Sequence, residues 1–297
     1  MTAAPNAAAE PRLAHVLCLD ARGLHRMAYW EWGEADNPHV VVCVHGLSRQ
    51  GRDFDTLARD LAADCRVICP DVVGRGRSDR LADPMGYTVP HYVADMVTLV
   101  ARLGVPQVDW VGTSMGGLIG LGLASLPNTP VRRLVLNDVG PTIQPEAIQR
   151  IGSYLGQPVR FASLEEAADA MWAISQGFGA HTREQWLELT RPMIVPAPDG
   201  QGFVPHYDPA IALPFRAVTP EVAKAGEAAL WQAWDRLACP TLLLRGANSD
   251  LLSRATAQAM TERGPKARLV EFVGVGHAPM LVQPDQRAVV REFLLAP

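Results

Sequence analysis

The sequence predicts an α/β fold: a mostly parallel eight-stranded sheet with helices on both faces, and a helical cap inserted late in the chain. Three observations carry this. Short runs that are continuously apolar, as strands buried on both faces require, alternate with stretches of helical spacing. Several of these runs end in loops that hold Gly together with Ser, Asp or His. Between residues 141 and 237 the rhythm stops, leaving helical stretches and proline-rich turns. At 297 residues the chain suits one large domain carrying an insertion.

In chain order, residues 15–20 and 27–32 read as two strands joined by a turn at Ala21-Arg22-Gly23, an antiparallel start to the sheet. Val40-Val41-Val42-Cys43-Val44 is a continuous apolar run expected of a parallel strand, and it ends in His45-Gly46-Leu47-Ser48. Residues 53–63 have apolar side chains at helical spacing, and 66–69 form a short strand that runs into a loop from Pro70 to Asp79. A helix with a proline start follows over 90–103. Next come a strand at 108–111, a turn at Gly112-Thr113-Ser114-Met115-Gly116, a helix over 118–126 and a strand over 132–138.

In the insertion, 164–174, 183–189 and 219–234 are the expected helices, and 193–214 reads as loop. Four of the seven tryptophans, Trp172, Trp186, Trp231 and Trp234, fall here. They are expected to fasten the cap to the body, with one or two lining a substrate cavity. The sheet resumes at 241–246, followed by a helix over 253–262, a last strand at 267–273 and a closing helix over 284–295. The chain thus divides into a flexible tail (1–11), a core in two pieces (12–140 and 238–297) and a cap (141–237).

Composition narrows the function classes. A net charge of −4 argues against a polyanionic partner, so nucleic acid is not expected. No run approaches membrane-spanning length, and residues 1–11 have neither a basic start nor an apolar core of a signal peptide. Five cysteines, an odd number in or beside apolar segments, read as packed, reduced thiols and favour a cytoplasmic setting. The eight histidines show no H-E-x-x-H or paired Cys/His spacing, so no metal is expected. Gly74 and Gly76 match the start of G-x-G-x-x-G, but Asp79 stands where the third glycine belongs and no helix opens there. No dinucleotide cofactor is therefore expected. Oligomeric state is not legible.

The chemistry lies in three loops. Gly112-Thr113-Ser114-Met115-Gly116 fits G-x-S-x-G, in which a sharp strand-to-helix turn lifts a serine hydroxyl above the sheet. A serine hydroxyl is a poor nucleophile at neutral pH and needs a base, which in turn needs an acid to fix its tautomer. Ser114, Asp250 and His277 occur in that order, each in a loop after an expected strand, and such loops share one edge of a parallel sheet. Asp138, at the end of the strand before the cap, is the alternative acid. The developing oxyanion needs N–H donors, expected from the backbone of Met115 and Leu47.

These segments, together with Asp71–Asp79 (similar to a D-x-x-G-x-G-x-S loop) and Gly276-His277-Ala278-Pro279, resemble the α/β-hydrolase fold superfamily. The likeness runs from His15 to Leu295 and is closest to its capped serine carboxylesterase-like branch. It implies cleavage of carboxylic esters through an acyl-enzyme, without metal or organic cofactor, on a small-molecule or oligomeric ester substrate. Asn137-Asp138-Val139-Gly140-Pro141 resembles a segment of bacterial carboxylesterases, some of which accept aliphatic polyesters. Ser-Met-Gly-Gly at the elbow is also similar to cofactor-free perhydrolases and carbon-carbon bond hydrolases, which use the same triad. A non-catalytic ligand-binding protein on a hydrolase frame is the alternative of another class.

Overall fold

A computed structural model describes residues 10–296. Most of the tail expected over 1–11 lies outside the described residues. The chain runs β1 (Arg12–Asp20), β2 (Gly23–Trp32), β3 (Val40–Val44), α1 (Asp55–Leu61), β4 (Arg66–Pro70), α2 (Val89–Leu103), β5 (Val108–Thr113), α3 (Met115–Ala124) and β6 (Val131–Asn137). It continues through α4 (Pro145–Tyr154), α5 (Leu164–Ile174), α6 (Arg183–Thr190), β7 (Ile194–Pro196), β8 (Phe203–Pro205), α7 (Ala212–Arg216) and α8 (Pro220–Asp235). It closes with β9 (Thr241–Gly246), α9 (Arg254–Glu262), β10 (Arg268–Phe272) and α10 (Pro284–Leu295).

Eight strands form one sheet in the order β1-β2-β4-β3-β5-β6-β9-β10, in which β2 alone runs against the rest. The apolar runs are continuous because both faces are covered. On β3, Val40, Val42 and Val44 enter the core on one face while Val41 and Cys43 enter the core on the other. Parallel strands connected this way bring the loops after β3, β5, β6, β9 and β10 to one edge.

None of residues 142–237 joins that sheet. They form α4 to α8 and a small antiparallel ribbon, β7 with β8. Helix starts follow local chemistry: Ser163 accepts from the Glu166 N–H, and Thr182 and Gln185 make a reciprocal capping box at α6. The stretch expected as loop over 193–214 contains the ribbon, whose strands of three residues, each with a proline, are too short to show a period. The tryptophans are structural. Trp172 packs edge-on against Trp186 at 5.1 Å, Trp231 donates to Thr142 Oγ1 and buried Trp234 donates to the Arg263 carbonyl. The expectation that one or two would line the cavity over Ser114 does not hold among the described residues. All five cysteines are unpaired, and four are buried. Among the described residues no helix is long and apolar enough to cross a membrane.

Candidate active site

Ser114 sits between β5 and α3 with φ 52 and ψ −116, a conformation that side chains resist and that persists only where surroundings enforce it. Glycines make the turn possible: a Cβ on Gly112 would strike the Gly116 carbonyl, and one on Gly116 the Val44 carbonyl. Trp110 Nε1 donates to the same Gly116 carbonyl at 3.0 Å, fastening the helix start to the strand beneath. The pairing Thr113↔Asn137 then sets Ser114 and Asp138 at matching positions, one residue past the ends of neighbouring strands. Asn137 tightens this junction, donating from Nδ2 to Thr113 Oγ1 at 3.0 Å and to the Pro279 carbonyl at 2.7 Å.

His277 Nε2 lies 3.0 Å from Ser114 Oγ, and His277 Nδ1 lies 2.8 Å from Asp138 Oδ2. The carboxylate that meets the histidine is therefore Asp138, and the expectation of Asp250 is corrected. Asp138 is fully buried and, like Ser114, holds a positive φ of 57, which aspartate tolerates better than most residues. Its other contacts fix it: Oδ1 accepts the Gly246 N–H at 2.8 Å and Oδ2 accepts the Ser249 hydroxyl at 2.6 Å. Asp250 is 41% exposed and is held elsewhere by a two-pronged pair with Arg150 of α4, at 2.6 and 3.0 Å. Burial acts to raise its pKa, but the Arg150 hydrogen bond and charge outweigh this and hold the carboxyl below its usual value. The physical reason for the correction is Arg150, a cap residue that satisfies Asp250.

His45, the other histidine at this sheet edge, is fully buried. Nδ1 lies 2.7 Å from the Gly46 carbonyl and Nε2 accepts the Val72 N–H at 2.9 Å, so it is a neutral ring joining two loops. Burial pushes its pKa down to about 3, with the charges of Arg75 and Arg49 adding to the effect against the Gly46 bond.

The Gly46 carbonyl, held by His45 and by the Arg49 N–H, fixes the Gly46–Leu47 peptide so that the Leu47 N–H points the opposite way. The Met115 N–H is one of the first donors of α3, which have no partner within the helix. Both loops touch one residue that sequence reasoning missed. Arg75 is 1% exposed and donates to the Leu47 carbonyl (2.8 Å), the Val73 carbonyl (2.7 Å) and Tyr92 Oη (2.9 Å), with Met115 Sδ at 3.6 Å. Ser249 was missed as well. Only its place beside Asp250, in the loop after β9, could have drawn attention to it.

A cavity of about 370 Å³ lies over Ser114 and His277, lined on the core side by Leu47, Arg49 and Met280 and on the cap side by Ile151, Tyr154, Phe161, Met171 and Phe178. A second cavity of about 400 Å³ adjoins it, sharing Arg150, Ser153, Tyr154, Ile174 and His277. The cap meets the histidine loop directly, through a hydrogen bond from the Gly276 N–H to the Gly177 carbonyl at 2.6 Å.

The description "Alpha/beta hydrolase family" matches residues 41–291, and the chain belongs to that family. It is an ester hydrolase by class. A 3-hydroxybutyrate-oligomer hydrolase of Cupriavidus necator is 56% identical over 96% of this chain and 98% of that protein. A pimeloyl-[acyl-carrier protein] methyl ester esterase of Xanthomonas campestris is 26% identical over 84% of this chain and 92% of that protein. Among solved structures, an alpha/beta hydrolase from Novosphingobium aromaticivorans has a TM-score of 0.83 at 36% identity, covering 96% of this chain and 98% of that one.

Proposed function

We propose that the chain hydrolyses short oligoesters of 3-hydroxy acids, with Ser114, His277 and Asp138 as its catalytic triad. The observation that carries the triad is the unbroken line Ser114 Oγ to His277 Nε2 to His277 Nδ1 to Asp138 Oδ2, at 3.0 and 2.8 Å. Ser114 Oγ attacks the ester carbonyl while its proton passes to His277 Nε2, and Asp138 holds the Nδ1–H tautomer and stabilises the imidazolium. The N–H groups of Leu47 and Met115 receive the oxyanion. The tetrahedral species collapses, and the departing alkoxide takes the proton from Nε2. Water then gives its proton to His277 as it attacks the acyl-enzyme, releasing the acid and restoring Ser114.

The substrate class rests on the 56% identity to the Cupriavidus necator oligomer hydrolase along almost the whole of both chains. The cavity over Ser114 fits it: about 370 Å³, near the small end of the roughly 300–1,000 Å³ typical of ligand sites, suits a few hydroxyacyl units rather than a polymer strand. Unpaired, mostly buried cysteines accord with a reducing compartment, where we place the reaction. The test is release of monomer from 3-hydroxybutyrate dimer, trimer and tetramer by the wild type and by Ser114→Ala. Hydrolysis of all three, abolished in the variant, is expected. Intact p-nitrophenyl ester cleavage without oligomer cleavage would overturn the substrate assignment.

A further inference from the structure

A second group of ionisable side chains, none of which lines the cavity over Ser114, gathers where the β1–β2 hairpin meets the first turns of α2. Asp20 closes β1, His25 is the third residue of β2, and His91 and Asp95 stand four apart on α2. One donor atom from each of Asp20, His25 and His91 falls within 4.8 Å of the others. The His25 ring is 5% exposed and Asp95 1%.

The hydrogen bonds show which atoms are committed. His25 Nε2 lies 3.1 Å from Asp95 Oδ2, and Asp20 Oδ1 accepts the N–H groups of Arg22 and Gly23 at 2.6 and 2.9 Å. Left over are Asp20 Oδ2 and two imidazole nitrogens, His25 Nδ1 and His91 Nε2, both buried without a hydrogen-bond partner. Each orphaned nitrogen faces a carboxylate oxygen beyond good hydrogen-bond range, His25 Nδ1 at 3.5 Å from Asp20 Oδ2 and His91 Nε2 at 3.6 Å from Asp95 Oδ2.

We propose that Asp20, His25 and His91 form a binding site for a divalent transition-metal ion of the zinc(II) class. Around tetrahedral zinc with bonds of roughly 2.0–2.1 Å, neighbouring ligand atoms stand about 3.3 Å apart. Asp20 Oδ2 and His25 Nδ1 are 3.5 Å apart, close to that spacing and long for a hydrogen bond. Asp95 is the outer carboxylate. By taking the Nε2–H of His25 it leaves the Nδ1 lone pair for the metal, the arrangement in which carboxylates orient metal-bound histidines. Two imidazoles and one carboxylate, with a fourth position for water, suit zinc, cobalt or nickel rather than calcium or magnesium.

Cys18 also lies near His25, but its thiol groups with His25 and Asp95 in a separate cluster rather than with Asp20 and His91. The ligands come from positions 20, 25 and 91 on three elements, so no short motif announces them, and the sequence expectation of no metal rested on such motifs. The ion would clip the edge hairpin to α2, a structural role separate from the ester chemistry.

The test uses the full chain after chelator treatment, titrated with ZnCl₂ by calorimetry and with CoCl₂ by visible absorption. One equivalent of zinc should bind, cobalt should give the bands of a four-coordinate ion, and zinc should raise Tm. His91→Ala, at a partly exposed position, should weaken binding at least 100-fold and abolish the Tm shift while keeping zinc-free ester hydrolysis. Asp95→Asn should weaken it by about 10- to 100-fold. His277→Ala should bind as the wild type does, which separates this site from metal captured at the triad. Failure of the wild type to bind, or equal binding by wild type and His91→Ala, overturns the proposal.

Discussion

Asp138 and His277 meet at 2.8 Å although 139 residues separate them, and the aspartate reaches the ring from a left-handed backbone just past the end of β6. Its burial, and a second oxygen bonded to the Gly246 N–H, leave it no freedom to turn away. Asp138→Asn should therefore lower kcat by about 10⁴-fold, because the amide can present the wrong tautomer to the ring. Asp250→Asn should change kcat by no more than a few-fold. Steady-state hydrolysis of p-nitrophenyl butyrate by both variants checks this, and a reversed ranking would restore Asp250 as the acid.

Ser249 braces Asp138, the proposed acid. Its hydroxyl donates to Asp138 Oδ2 and accepts the N–H groups of Leu251 and Leu252 at 3.2 and 3.1 Å. Ser249→Ala removes a hydrogen bond to a charged group, worth about 1.5–3 kcal/mol. The expected result is a fall in kcat of at least about 10-fold with KM little changed, and a lower urea midpoint. An unchanged kcat with only the midpoint lowered would mean that Ser249 merely folds the loop.

Arg75 should couple stability to catalysis. Truncation strands the carbonyls of Leu47 and Val73 and the hydroxyl of Tyr92, each at about 1–3 kcal/mol. Arg75→Met should lower the unfolding free energy by at least about 3 kcal/mol. Arg75→Lys keeps the charge but loses the fork, and should reduce kcat more than it raises KM, because Arg75 holds the carbonyl of Leu47, whose own N–H is the proposed oxyanion donor. A pure KM effect would place Arg75 in substrate binding instead.

Two buried groups should shape acid stability in opposite senses. His45 is held near 3 by burial against an ordinary 6.5, so between those values the unfolded chain takes up a proton that the fold refuses. Its contribution is full above pH 6.5 and is lost as pH falls. Asp71 is raised by burial to about 6 from 3.8, so the folded carboxyl binds its proton first and its contribution grows as pH falls through that window. Asp71→Asn should steepen the loss of Tm between pH 6 and 4 relative to wild type, and His45→Gln should flatten it. Parallel profiles for all three proteins would dismiss both assignments.

The sequence was most legible where function imposes local chemistry. The G-x-S-x-G turn requires glycines that can be read without knowing the fold, and α5, β9 and α10 run over the stretches their periodicity predicts. Which carboxylate meets His277 was not local. It depends on the register Thr113↔Asn137 and on Arg150, which lies on a helix the sequence reading passed over because Gly152 and Ser153 are weak helix formers. Arg75 was hidden for a similar reason: a cation in a glycine-rich loop reads as solvated until the cap closes over it, as it does when Tyr207 pairs with Arg75.

The hydrogen bond between Gly276 and Gly177 has a consequence for exchange of parts between relatives. Cap and histidine loop share main-chain atoms, and a Cβ at Gly177 would stand 3.3 Å from the His277 carbonyl. The cap is thus no detachable module. A chimera that grafts a foreign cap onto this core should misplace His277 unless residues 175–179 and 274–277 travel together, which makes that pair of segments the unit of inheritance.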